Sequence, residues 1–362
     1  MEAGILGFAQ VGKTTLFNAL VRGRAETGAF GGGLRPHLGV ARIPDPRLST
    51  LADLFRPERV VPAEVRLVDI PGGPERGRGL PGPVLNFLQR VDALLVVARA
   101  FEDPAVPPPP GGVDPLRDLG EMEEELLLTD LGTVERRLER VSAQMKGAWA
   151  GERPALERER ALLERLRSAL EEGTPLRALD LSPEDRRALV GFHLLTALPF
   201  LGVLNLGEGD VDRAEEAEAS ARSARGGPGK DFVAVCAKLE MELAQLEPEE
   251  EEAFRESLGL KEKGTERVLR SLYRLLGLVT FFTVVSREVR AWTVPAGTPA
   301  VRAAGRVHSD MERGFIRAEV VSFEDLVRAG SLADARRQGL LRLEGREYEV
   351  RDGDVITFRF HL

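Results

Sequence analysis

Short runs that are apolar almost throughout recur along the chain: AGILGF at residues 3–8, EVRLVDI at Glu64–Ile70, ALLVVA at Ala93–Ala98, FLGVL at Phe200–Leu204 and FVAV at Phe232–Val235. Runs of four to eight residues without steady polar alternation are typical of strands buried on both faces. Helical or Gly/Pro-rich stretches separate them, beginning with TTLFNALV soon after the first run. The pattern predicts an α/β domain with a mostly parallel sheet covered by helices.

Two further patterns interrupt and end that series. Leu127, Leu131, Val134, Leu138, Val141 and Met145 follow one another at 4-3-4-3-4 spacing, one seam of a helix. After the turn GAWAGERP, Leu156, Leu163, Leu166 and Leu170 continue in similar phase, so 116–190 reads as an inserted antiparallel α-helical hairpin of coiled-coil type. From Val279 the chain becomes β-rich (TFFTVV, EVRAWTV, FIRAEVV, LRLEGREYEV, DVITFRF) with one helical segment, FEDLVRAG. The expected organisation is 1–115 with 191–278 as the α/β domain, 116–190 as the hairpin and 279–362 as a separate α+β module.

Composition narrows the setting. The chain has 362 residues, 43% hydrophobic and 30% charged, with a net charge of -8 that argues against a general nucleic-acid coat. One cysteine, Cys236, leaves no intramolecular disulfide and fits a reducing compartment. The start MEAGILGFAQVGKTT has no basic leader, and no apolar run reaches the roughly 20 residues of a membrane span, so a cytoplasmic protein away from membranes is expected.

The chemistry is carried by Gly7-Phe-Ala-Gln-Val-Gly12-Lys13-Thr14, placed between a strand and a helix. In such a P-loop the backbone amides of Ala9, Gln10, Val11, Gly12, Lys13, Thr14 and Thr15 cradle phosphates at a helix N-terminus. Lys13 reaches the β- and γ-phosphates as the catalytic cation, and the Thr14 hydroxyl binds Mg²⁺. Asp69-Ile-Pro-Gly72 follows the strand EVRLVDI; Asp69 would hold the metal through water and the Gly72 amide would sense the γ-phosphate. Asn205, Leu206 and Glu208 end one strand and Cys236, Ala237 and Lys238 end the next, where this class places its base contacts. The usual guanine-reading N-K-x-D is absent here, so the residues leave ATP and GTP both open as ligands, with ADP or GDP as product. The four histidines, His37, His193, His308 and His361, form no cluster with metal-ligand spacing.

With these motifs in place, the chain resembles the Obg-like ATPase family, called YchF in bacteria, over nearly its whole length. Pro44-Asp-Pro-Arg-Leu48, Arg56-Pro-Glu-Arg59, Phe101-Glu-Asp103 and Val113-Asp-Pro-Leu-Arg117 carry the likeness. So do Glu288-Val-Arg-Ala-Trp-Thr293, Glu312-Arg-Gly-Phe-Ile-Arg-Ala-Glu319 and Asp352-Gly-Asp354. The resemblance implies a P-loop NTPase domain, an inserted coiled coil and a ubiquitin-like TGS domain. It further implies Mg²⁺-dependent hydrolysis of a purine nucleotide, with ATP favoured, by a monomer that associates with the ribosome (the large subunit) or ribosome-associated RNA. Asn205 and Glu208 match the family's N-x-x-E.

The chain also departs from that pattern. Aligning Leu34-Arg-Pro-His-Leu-Gly39 with the family's switch I puts Gly33 where a metal-binding Thr is usual. Gly73 stands where the family has a hydrophobic residue after its D-x-x-G, and Pro108 aligns near a loop His linked to hydrolysis. Gln10 and Thr14 replace the usual Asn and Ser of the P-loop. A missing water-positioning group or arginine finger costs roughly 10³–10⁵ in rate, so slow hydrolysis is expected. Gly28–Gly33 and Gly72–Gly82 would be the switches ordered by the γ-phosphate. The rival reading is a module that keeps nucleotide as a regulatory ligand without turnover. A third, an RNA-binding scaffold built on Arg290, Arg313, Arg317 and Arg342, sits poorly with the acidic balance.

Overall fold

A computed structural model describes residues 1–23, 36–70, 72–285 and 287–361. The chain divides into two compact units, Met1–Ala41 with Arg66–Leu275, and Arg42–Val65 with Leu276–Leu362.

The first unit is built on strands β1 (Glu2–Leu6), β2 (His37–Arg42), β4 (Glu64–Asp69), β5 (Ala93–Ala100), β6 (Phe200–Leu206) and β7 (Lys230–Val235), in the order β2-β4-β1-β5-β6-β7. The pairs β1–β4, β1–β5, β5–β6 and β6–β7 are parallel, as the unbroken apolar runs require. Their register sets Ile5 beside both Asp69 and Leu95, and Asn205 beside both Arg99 and Val235. The carboxyl ends of the strands therefore share one edge, where α/β sheets gather their ligand-binding loops. Phe200, Phe232, Leu94, Leu95 and Ile5 are fully buried within this sheet's layer.

Helix α1 (Lys13–Val21) follows β1 through the P-loop, and α3 (Gly82–Leu88) precedes β5. The expected hairpin is α4 (Pro115–Gly147) and α5 (Arg153–Glu171). Asp114 caps α4 by accepting from the Arg117 amide, and Pro115 occupies the first turn, where its missing N–H costs nothing. At 33 residues α4 is about 50 Å long. It has two roles along its length. Its opening turns bury Leu119, Met122 and Leu126 and lie on β5. Beyond Leu127, the predicted seam (Val134, Leu138 and Val141) packs with Leu163, Leu166 and Leu170 in one buried cluster.

The second unit has its own six-stranded sheet, β11-β10-β12-β8-β9-β3. Its strands are β3 (Arg59–Val61), β8 (Leu278–Val285), β9 (Glu288–Pro295), β10 (Phe315–Ser322), β11 (Arg342–Glu344) and β12 (Asp354–Phe360). Phe281, Val294, Ala303, Val320 and Ile356 form its core, with the helix Ala300–Val307 against the sheet. One boundary differs from the sequence reading, which ran the first domain unbroken to residue 115. Segment 42–65 instead belongs to this unit: β3 pairs in parallel with β9, Arg59 opposite Glu288. Helix α2 (Pro46–Phe55) buries Leu48 and Leu51. Arg47 bonds both Asp45 and Asp352 (2.7 Å each) and lies 5.2 Å from the Phe282 ring centroid. These carboxylates raise the Arg47 pKa above its ordinary value, against the opposing effect of burial.

Candidate functional site

The P-loop turns at Gly12, whose φ of 92° is a left-handed conformation, and α1 starts there without a side-chain cap. A Cβ at Gly12 would also meet Asn205 Nδ2 at 2.2 Å, so both backbone and space demand glycine. Ala9 and Gln10 are exposed at the rim, Gln10 with φ 61°, whereas Val11 is buried below them. Lys13 is buried, its ammonium donating to the carbonyls of Phe8 (2.7 Å) and Gly7 (3.1 Å). Burial brings Lys13 down to about 8, with the nearby Asp69 carboxylate opposing that shift.

Asp69, at the end of β4, is 0% exposed. Its Oδ2 accepts from the Thr14 hydroxyl (2.7 Å) and lies 3.0 Å from His37 Nδ1, which faces a carboxylate as a donor. Its Oδ1 is buried with no hydrogen-bond partner. A fully buried carboxylate oxygen without a partner, beside a hydroxyl, suits a hard, oxygen-seeking cation. Thr14 and Asp69 therefore fit Mg²⁺, which characteristically takes one or two protein oxygens and completes its shell with phosphate and water. Among the described residues no group of three or more His, Cys, Asp or Glu side chains forms a metal cage.

Gly72 (φ 79°) and Gly73 follow, Pro71 lying outside the described residues. A Cβ on Gly73 would meet Ala9 N at 2.7 Å, Phe8 C at 2.8 Å and Gly7 O at 2.9 Å. These are backbone atoms of the P-loop, which gives the missing side chain a physical reason: here this segment lies directly on the phosphate loop. Gly33 and the glycine-rich segment 28–33 fall outside the described residues. Pro108 is exposed in a loop held from beneath by Arg99, which donates to the carbonyls of Phe101, Val106 and Pro107.

On the base side, Asn205 is buried and fully committed to the protein. Its Nδ2 donates to the Val11 carbonyl (2.9 Å) and its Oδ1 accepts from the Ala237 amide (3.0 Å). Asn205 thus ties the P-loop to the β7 loop. Leu206 is buried. Glu208 and Lys238 are exposed and paired with each other at 2.8 Å across the two base loops. Cys236 is buried before the helix Ala237–Leu243, and burial raises its thiol pKa, the opposite of an activated nucleophile.

The structure therefore gathers residues from four strand ends around one phosphate loop. Three contributors were not assigned roles from the sequence: His37 on Asp69, Arg99 beneath the Pro108 loop, and Glu125 of α4, which holds the backbone after Gly73. The signal for His37 was its place in LRPHLG; Arg99 and Glu125 look like ordinary strand and helix charges.

Sheet order, P-loop and strand-end motifs define a P-loop nucleotide-binding protein. Residues 2–131 match a family profile described as a 50S ribosome-binding GTPase, and 278–361 match YchF-GTPase_C, described as a protein of unknown function. The curated Ribosome-binding ATPase YchF of Bacillus subtilis is 41% identical, with both chains covered in full. That of Escherichia coli O157:H7 is 39% identical over 100% of this chain and 99% of its own. The structure of the Schizosaccharomyces pombe YchF GTPase superposes with a TM-score of 0.85 at 29% identity, covering 99% of this chain and 97% of that one. The chain belongs to the YchF family.

Proposed function

We propose that this protein is a purine-nucleotide switch that associates with ribosomes and hydrolyses its triphosphate slowly with Mg²⁺. One observation carries the reading. The P-loop sequence Gly7–Thr14 leads into α1 beside Asp69, whose buried Oδ1 has no hydrogen-bond partner and whose Oδ2 bonds Thr14, while Gly73 provides no side chain to position water. When bound, Mg²⁺ neutralises charge on the transferring phosphoryl group. Lys13, with the amides of Ala9 to Thr15 and of Gly72, would hold the phosphates. Thr14 and Asp69 would hold the metal. Leu206, Glu208, Cys236, Ala237 and Lys238 would border the base, with Asn205 fixing the loops that carry them.

Ribosome association rests on the names of the full-length relatives, ribosome-binding ATPases, and the same names favour ATP as nucleotide. Within this reading the partner is the large subunit, the protein acts as a cytoplasmic monomer, and 279–362 serves as a TGS domain. No helix among the described residues is long and apolar enough to cross a membrane. The test is single-turnover hydrolysis of ATP and GTP, each with and without ribosomes, together with nucleotide-dependent co-sedimentation. Stimulated turnover of either nucleotide supports the switch. Triphosphate held intact for hours, with no ribosome dependence, would leave the rival reading of a regulatory nucleotide-binding module, which Gly73 favours.

A further inference from the structure

The segment after Gly73 is gripped by one face of α4. Arg76 donates to Asp118 (3.0 Å) and Glu121, and its guanidinium lies 4.6 Å from the ring centroid of Phe8 in the P-loop. One turn further along α4, the Glu125 carboxylate accepts from three consecutive backbone amides, those of Gly77, Arg78 (3.1 Å) and Gly79 (2.6 Å). One turn beyond that, Thr129 Oγ1 accepts from the Leu80 amide (2.8 Å) and donates to the Glu125 carbonyl (2.7 Å). Positions 118, 121, 125 and 129 are spaced 3-4-4 along the helix, a single face.

Three successive amides converge on one carboxylate only when the backbone turns back on itself. Gly77 and Gly79, at φ 77° and 71°, allow it. Glu125 is 2% exposed, and its bond from Gly79 is buried while those from Gly77 and Arg78 are partly so, a setting that strengthens charge-assisted hydrogen bonds. The segment thus lies close against the P-loop backbone at Gly73 and is held by α4 from Arg76 to Leu80. The same α4 continues past Leu127 as one arm of the hairpin.

We propose that Glu125 is a positioning residue for hydrolysis: it clamps residues 77–79, sets where Gly72 and Gly73 lie over the phosphate loop, and links that segment to the hairpin. Its two carboxylate oxygens are engaged by those backbone amides, so it acts through the backbone it holds. The inference rests on the nucleotide-switch reading above for its catalytic half only.

The test compares the full-length protein with Glu125→Gln, which keeps the shape and one acceptor oxygen, and Glu125→Ala. Three readouts are taken: amide hydrogen exchange, fluorescent-nucleotide affinity and single-turnover hydrolysis. The expected result is at least roughly tenfold faster exchange of the 77–79 amides in Glu125→Ala, with unchanged protection in β5 and β6. Triphosphate affinity stays within about threefold while hydrolysis slows by roughly tenfold or more, with Glu125→Gln intermediate. Hydrolysis unchanged despite freed amides would overturn the positioning role. So would a loss of affinity and rate together with β5 and β6 protection, the mark of a general folding contact. Should the unaltered protein bind triphosphate without hydrolysing it, the switch reading loses its catalysis, and the inference is judged on exchange alone. Residues 77–80 and the hairpin then differ between diphosphate and triphosphate states in the unaltered protein and not in Glu125→Ala; a hairpin response that survives the substitution refutes it.

Discussion

Asn205→Ala separates a base-contacting residue from one that fixes the loops. The side chain is buried and makes two hydrogen bonds, 2.9 Å to the Val11 carbonyl and 3.0 Å from the Ala237 amide. Truncation leaves both backbone groups without their partner and opens a gap against Gly12, whose missing Cβ would stand 2.2 Å from the amide nitrogen. Each orphaned buried group costs about 1–3 kcal/mol, so the nucleotide-free protein should lose roughly 2–6 kcal/mol. Nucleotide affinity should fall as well. If the Val11 bond biases the phosphate loop by 1–2 kcal/mol, its loss lowers the competent population and weakens binding by up to roughly 5–30-fold, equally for ATP and GTP. Asn205→Asp provides the control: it retains an acceptor for the Ala237 amide but sets a carboxylate against the Val11 carbonyl. Stability should recover in part and affinity should not. Denaturant unfolding and fluorescent-nucleotide titration measure the two effects. Wild-type stability in Asn205→Ala, or a loss of affinity confined to one base, would refute the loop-fixing role.

Three further outcomes follow from the packing. Gly73→Ala drives a Cβ into P-loop backbone that cannot rotate away, so the nucleotide-free protein should lose about 1–3 kcal/mol in a thermal melt; an unshifted melt would mean that the segment does not rest on the loop. Asp130 on α4 accepts from Leu195, Thr196 and the Thr196 hydroxyl, and burial raises its carboxyl to about 6, those hydrogen bonds opposing the shift. Because the folded pKa lies above the ordinary 3.8, the cost of ionising it is complete above pH 6 and fades as pH falls toward 4. Acidification across that window should therefore stabilise the protein through this group by on the order of 3 kcal/mol, and the pH difference curve against Asp130→Asn should show it. In the second unit, Arg47→Ala removes the partner of Asp45 and Asp352 and the cation over Phe282, a loss of about 1–3 kcal/mol; unchanged exchange protection of β3 and β9 would contradict that role.

What could be read from the sequence was what repeats locally. The β1, β4, β5, β6 and β7 runs and the Leu127–Met145 seam announce themselves within ten to twenty residues, because burial imposes its period on neighbours. The phosphate loop was legible for the same reason: its glycines, lysine and threonine are contiguous. The parts that escaped depend on partners far along the chain. Asn205 bonds residues 194 and 32 positions away, and His37 meets Asp69 across 32. Glu125 ends the run Glu121-Met-Glu-Glu-Glu125, indistinguishable in pattern from a solvated helix face, although its carboxylate is among the most buried charges in the protein. β3 is only three residues long, too short to show a period, so nothing local ties it to a strand that lies most of the chain away.

That last pairing has a temporal meaning. Arg59 and its ladder partner Glu288 are 229 residues apart, so during synthesis at 5–20 residues per second roughly 10–50 s separate their appearance. Through that interval Leu48 and Leu51 have no completed sheet on which to lie, and loop closure over such a span is entropically late. The second unit is thus assembled by the last part of the chain to be made around a segment that was among the first. Ending the chain before β9 would remove a domain and, in addition, strand residues 42–65 without the surface they were built to meet.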